Sequence, residues 1–197
     1  MSKKVIAAFD FDGTLTTKDT MFDFLKFYKG SFVLWLGLIT GSPYLMAYYL
    51  GLITNHEAKE KLLAYFIKGK SIDDFSEKCK EYESQINKIC HQQTLDRLKW
   101  HQDQGHEVLI ISASLDNWIK PWAESKSIST VLATQIEVKD GVITGRFSSR
   151  NCFGQEKVNR LKALYPEKDY LLYAYGDSSG DKELLEYADF PTLYKRK

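Results

Sequence analysis

The chain has 197 residues, 44% of them hydrophobic and 27% charged, with 27 Lys and Arg against 26 Asp and Glu for a net charge of +1. This is ordinary globular composition for one domain, or one domain carrying a large insertion. It excludes a disordered or collagen-like chain and gives no electrostatic basis for binding nucleic acid.

Val5–Phe9 is an unbroken apolar run that ends in Asp10-Phe11-Asp12-Gly13-Thr14, the pattern of a buried strand stopping at a polar loop. The run is too short for a signal-peptide core, so the expected compartment is the cytosol. Helical spacing follows over 19–28 through Met21, Phe22 and Leu25. Residues 31–54 are unusual: no charge occurs from Gly30 to Asn55, and 16 of these 24 residues are apolar or aromatic. Gly37, Gly41, Pro43 and Gly51 punctuate the stretch, which predicts two short helices hinged near 41–43 rather than a spanning helix. Asn55 is expected to cap the next helix, which stops at Gly69. Ser71 starts another, running through Phe75, Cys79, Tyr82, Ile86 and Ile89, and a last helical stretch ends at Gly105.

Beyond residue 106 strands return. Val108–Ile111 is a second buried strand, ending in Ser112-Ala113-Ser114. Trp118, Ile119 and Trp122 suggest a helix, and Thr130–Val138, Asp140-Gly141 and Val142–Phe147 read as a hairpin. A helix over Glu156–Leu164 precedes a third buried strand, Tyr170–Tyr175, which runs into Gly176-Asp177-Ser178-Ser179-Gly180-Asp181. A short helix to Tyr187 and a strand over Asp189–Tyr194 finish the chain. The expected fold is α/β: a Rossmann-like parallel-sheet core (1–18 and 101–197) with a helical cap, 19–100, inserted after the first strand.

In parallel sheets ligands bind beyond the carboxyl ends of the strands. Asp10, Asp12, Ser112, Asp177 and Asp181 should converge there. Clustered carboxylates repel one another, and a hard divalent cation with oxygen ligands, best Mg²⁺, would offset them. With the hydroxyls of Thr14 and Ser112 and the ammonium of Lys157, the set suits a phosphoryl group. The three cysteines, Cys79, Cys90 and Cys152, read as small apolar side chains rather than a disulfide framework. His56, His91, His101 and His106 lack metal-ligand spacing and are expected at the surface or at helix ends. Ser114 either points at substrate or caps the following helix.

These segments, in this order, resemble the four motifs of haloacid dehalogenase superfamily phosphatases: Asp10–Thr16, Ser112, Lys157 within Gly154–Val158, and Gly176–Asp181. The resemblance implies Asp10 as the nucleophile that forms an aspartyl-phosphate, and Asp12 as general acid and then base. Ser112 and Lys157, with Thr14 nearby, would hold the phosphoryl oxygens. Mg²⁺ would be bound by Asp10, Asp177 and the backbone carbonyl of Asp12, with Asp181 supporting that shell. The acid at position 12 places the chain on the phosphatase side rather than the dehalogenase side.

An insertion directly after the first motif is similar to the phosphoserine phosphatase branch. There a Glu is expected where Asp19 stands, and Arg97 is the only Arg between Asp19 and Trp100. Cys152-Phe153-Gly154-Gln155-Glu156-Lys157-Val158 and the aromatic cap segment more closely resemble the phosphatidylglycerophosphatase C-like group. That implies a lipid-linked or apolar phosphate ester and peripheral contact with the inner face of a membrane. Phosphoserine or another small metabolite is the alternative substrate, and an inactive phosphate-binding module the alternative class. Segment 31–54 would either meet lipid or form the cap's own core.

Overall fold

The computed structural model describes residues 3–194. Its centre is strand β1 (Lys4–Phe9), flanked by β2 (Glu107–Leu115) and β6 (Tyr170–Gly176), with β3 (Thr130–Thr134) and β7 (Phe190–Leu193) at the edges. The five strands form one sheet in the order β3-β2-β1-β6-β7, and every pairing is parallel. Alternation along β1 explains its continuous apolarity. Ala7 and Phe9 face one core with Leu98 of α4 (Gln92–Asp103) and Trp118 and Trp122 of α5 (Asp116–Ser125). Ile6 and Ala8 face a second core with Val158 and Leu161 of α6 (Gln155–Leu164) and Leu184 of α7 (Lys182–Tyr187). The result is a three-layered α/β core with all its strand ends aligned.

Between β1 and α4 the chain forms α1 (Thr20–Tyr49), α2 (Asn55–Ile67) and α3 (Ile72–Ile86). A hairpin of β4 (Ile136–Lys139) and β5 (Val142–Phe147) ties this insertion down. Ile143 exchanges backbone hydrogen bonds with Gly69 and Lys70, and the Phe147 N–H donates to Glu60 Oε2 at 2.7 Å. Helix α4 crosses the expected boundary at residue 100 and lies against the sheet, where Arg97 Nε donates to Tyr175 Oη at 2.8 Å.

Several expectations are corrected. α1 breaks at Gly30 (φ 81°, ψ 163°), not at 41–43. Pro43 stays helical because the Ile39 carbonyl, deprived of its usual N–H partner, accepts instead from Ser42 Oγ at 2.7 Å. Thr54, not Asn55, caps α2, in a capping box with Glu57; Asn55 Oδ1 instead accepts from Asn151 Nδ2 at 2.5 Å. α3 ends at Ile86, and 87–89 form a tighter turn. The stretch 130–138 is two strands: β3 joins the main sheet and β4 pairs with β5. β2 extends to Leu115, past the expected end at Ile111. His101 is buried, its Nε2 2.8 Å from Tyr175 Oη, and burial beside Arg97 and His106 pushes its pKa down to about 4. As expected, the three cysteines form no disulfide framework: all are free, with Cys79 and Cys152 buried.

Candidate active site

Parallel pairing brings the loop after β1, the end of β2 and the loop after β6 to one edge of the sheet. The β1 loop turns tightly because Gly13 adopts φ 81°, where a side chain is strained. The N–H groups of Leu15 and Thr16 both donate to the Phe11 carbonyl at 2.9 Å. Asp10, at the head of this turn, is buried. Its Oδ1 accepts from Lys157 Nζ at 2.5 Å, and its Oδ2 from Thr14 Oγ1 at 3.4 Å.

Lys157 stands in the first turn of α6 and also donates to Asp181 Oδ1 at 2.5 Å. The other oxygen of Asp181 accepts from the N–H groups of Asp177 and Ser178, each at 3.1 Å, and from Ser178 Oγ at 3.0 Å. Gly176 makes this possible, since a Cβ there would collide with the Asp181 side chain. Thr14 Oγ1 also reaches Asp177 Oδ1 at 3.4 Å. One oxygen from each of Asp10, Asp177 and Asp181 lies within 4.8 Å of the others.

The electrostatics follow from crowding acids in a dry place. Burial, with Asp181 and Asp12 adding to it, pushes Asp10 up to about 7 despite Lys157. Burial opposes the charge on Lys157, but Asp10 and Asp181 outweigh it and hold its pKa above the ordinary lysine value. Asp181 is likewise buried, yet Lys157 and the two backbone N–H groups hold its carboxyl below the usual range.

Asp12 is anchored separately. Its Oδ1 accepts from Thr20 N at 2.7 Å and Thr20 Oγ1 at 2.5 Å, and its Oδ2 from Ser114 Oγ at 2.5 Å. Thr20 is the first residue of α1, so a free N–H of that helix start meets a carboxylate, a favourable placement. Trp118 Nε1 steadies Thr20 Oγ1 at 3.1 Å. Ser112 is buried within β2, short of its end at Leu115, and its Oγ accepts from the Ser114 N–H at 3.0 Å.

Above these groups lies a cavity of about 260 Å³. Of the residues expected from sequence, Asp10, Asp12 and Lys157 wall it. Thr14, Asp177 and Asp181 join through the hydrogen bonds above, and Ser112 connects through Ser114. The insertion supplies the roof with Met21, Leu45, Tyr48, Lys59 and Leu62, while Asp19 and Phe153 stand at the sides.

Two contributors, Thr20 and Lys59, are not anticipated from the sequence, and a third, Ser114, has a role different from either expected use. Thr20 reads as an ordinary helix start. Ser114 neither points at substrate nor caps α5 by its side chain: its hydroxyl donates to Asp12. Lys59 is the instructive one: with Leu62, Leu63 and Phe66 it occupies the i, i+3, i+4, i+7 stripe that α2 turns inward. A lysine on an apolar stripe is a signal for a cation aimed into a site. Its Nζ donates to the Ala113 carbonyl at 2.7 Å. Burial lowers its pKa, against the pull of Asp12, Asp19 and Asp10.

Acids gathered at the strand ends of a parallel sheet, around the buried Lys157 and beneath a roofed cavity, suit the chemistry of a phosphoryl group. Residues 7–186 match the family model for haloacid dehalogenase-like hydrolases, and the chain belongs to that family. It is 30% identical over 188 residues to Protein CicA of Caulobacter vibrioides, covering 94% of this chain and 83% of that one. A probable phosphatase of Mycobacterium tuberculosis is 24% identical over 93% of this chain and 66% of its own length. A substrate-bound phosphoserine phosphatase superposes with a TM-score of 0.67 at 17% identity, over 97% of this chain and 86% of that one. Named phosphatases thus stand among its relatives and structural neighbours, and its own family is that of haloacid dehalogenase-like hydrolases.

Proposed function

We propose that the protein is a Mg²⁺-dependent phosphomonoester hydrolase acting through an aspartyl-phosphate on Asp10. The observation that carries this reading is the pairing of Asp10 with Lys157 beside a separately anchored Asp12, both acids facing one cavity. A carboxylate oxygen of Asp10 attacks phosphorus, and the bond from phosphorus to the ester oxygen breaks. Asp12 gives its proton to the departing alkoxide. It then takes one from water, whose oxygen attacks phosphorus and releases inorganic phosphate and the free Asp10 carboxylate. Lys157, Ser112 and Thr14 hold the phosphoryl oxygens.

The donor set fits a hard cation. Asp10 and Asp177 offer clustered carboxylate oxygens, while both oxygens of Asp181 are engaged by Lys157 and backbone N–H groups, which suits a supporting role. Asp10, Asp177 and the Asp12 carbonyl would hold Mg²⁺, which supplies positive charge to the phosphoryl oxygens when bound.

The residues 19–100 act as a cap on a core of 1–18 and 101–197, with α4 packed on the core side. The cavity roof of Met21, Leu45, Tyr48 and Leu62 favours a lipid-linked or apolar ester, such as phosphatidylglycerophosphate, met by a cytoplasmic protein in peripheral contact with a membrane. A second reading, a phosphoserine-like small metabolite, is favoured by Asp19 and Lys59, an acid and a cation on the same cavity. Hydrolysis of p-nitrophenyl phosphate should require Mg²⁺ and vanish in Asp10→Asn, and a screen of lipid and metabolite esters separates the two substrates. Phosphate binding without turnover in the wild type would instead mark an inactive binding module.

A further inference from the structure

Helix α1 is built inside out for a protein in water. Past its break at Gly30 the residues it buries fully are small: Gly37 and Gly41 let the helix close on Phe66 and Leu62 of α2, where a Cβ at Gly37 would overlap the Phe66 ring, with Val33, Leu34 and Leu38 half-buried alongside. Its outer side carries Phe32, Trp35, Leu36, Ile39, Pro43 and Met46, all exposed, at spacings i, i+3, i+4, i+7, i+11 and i+14. That is one continuous apolar stripe along a helix face. The exposures are large: 80% for Phe32, 67% for Trp35, 64% for Ile39 and 59% for Met46. Segment 31–54 is therefore not the core of the insertion.

Two features say what covers the stripe. First, it offers no polar handle. The segment has no charged residue, and the hydroxyls of Thr40 and Ser42 donate back to the carbonyls of Leu36, Gly37 and Ile39. Protein interfaces carry about one hydrogen bond per 100–200 Å², and from Phe32 to Met46 the stripe itself has no side chain with which to make them; the exposed Tyr49 comes only at its far end. Second, the cleft beside it is lined by Thr40, Tyr44, Lys61, Tyr65 and Lys68, with Gly41, Leu62 and Ala64, and contains no acid. Lysines and tyrosines bordering an apolar face match the headgroup zone of an anionic bilayer.

We propose that α1 docks on an anionic lipid bilayer, lying in its surface with the Phe32–Met46 stripe sunk among the acyl chains. The helix lies flat rather than spanning. Its inner side is held by α2, Met21, Phe24 and Leu25 anchor its start in the protein core, and Asp23, Lys26 and Lys29 charge its first third. Leu45 and Tyr48, on the same helix, line the cavity roof, so docking brings the cavity mouth to the lipid surface. This second consequence rests on the phosphomonoesterase reading; the docking itself does not.

The test is flotation of the full-length protein with vesicles of phosphatidylcholine and phosphatidylglycerol, at low and high salt, with sedimentation of the free protein alongside. Wild type should float at both salt levels, because the contact is apolar, and better on vesicles containing phosphatidylglycerol. Trp35→Asp/Ile39→Asp should cut flotation at least about tenfold while hydrolysis of p-nitrophenyl phosphate stays unchanged. Trp35 emission should shift blue on vesicle addition, a signal lost in Trp35→Phe, which still floats. Asp10→Asn should float like wild type; if it also kept turning over substrate, the catalytic reading would fail and the docking would stand. Wild type that stays in solution, flotation indifferent to the double substitution, or a dimer that the substitutions split without any vesicle binding would each overturn the proposal.

Discussion

At the residue scale two acids of the candidate site sit in contrasting settings. Asp10 is paired with a buried lysine, whereas Asp12 is clasped by a helix start and two hydroxyls. If Asp12 protonates the leaving group, Asp12→Ala should lower turnover of alkyl phosphates by about 10²–10⁴-fold. The loss should be smaller with p-nitrophenyl phosphate, whose leaving group needs less protonation; equal losses in steady-state assays would count against the role. Thr20 fixes where Asp12 sits, so Thr20→Val should lower kcat more than it raises KM, and Thr20→Ser should restore it. A fall in thermal stability with unchanged kcat would reduce Thr20 to a structural cap.

At the scale of elements, close packing of α1 on α2 holds the roof over the cavity. Gly37→Leu would force a side chain into the Phe66 ring and should cost about 1–3 kcal/mol in urea unfolding. Adding Phe66→Ala should return part of that loss, because it opens the space the new side chain needs. The same helices show what a sequence can and cannot tell. The three inner strands are legible because apolar runs buried on both faces stand out, and the acids at their ends mark the sheet edge where the cavity lies. The break in α1 was misplaced because Pro43 signals a hinge on its own, while its rescue by Ser42 Oγ is a three-dimensional fact. β3 and β4 merged because nothing local distinguishes a strand entering the main sheet from one leaving it at Gln135. Lys59 escapes a sequence reading because its partner, the Ala113 carbonyl, lies 54 residues away, and Thr20 because only the turn after β1 folds the nearby Asp12 back onto the start of α1.

For the whole molecule, the crowding of buried acids sets stability against pH. Asp10 titrates near 3.8 when exposed and is pushed up to about 7 in the fold. The folded state thus binds its proton more tightly, so this group's contribution to stability is full below about 4 and declines as pH rises through about 7. In EDTA, the melting temperature of Asp10→Asn minus that of wild type should therefore grow between pH 4.5 and pH 8. A difference that does not change with pH would contradict the assignment. Mg²⁺ should reverse the wild-type deficit, raising Tm by linkage, about 2.7 kcal/mol at a hundredfold excess over Kd, and should do so far less in Asp10→Asn.

The account turns on which atom takes the phosphoryl group. Wild-type protein quenched during turnover and treated with borohydride would have any acyl phosphate reduced, converting the phosphorylated aspartate to homoserine. Peptide mass spectrometry then identifies the position. The account predicts homoserine at Asp10 and at no other aspartate, dependent on Mg²⁺ and on substrate. Homoserine at Asp12, or unmodified Asp10 in an enzyme that is turning over substrate, would contradict it.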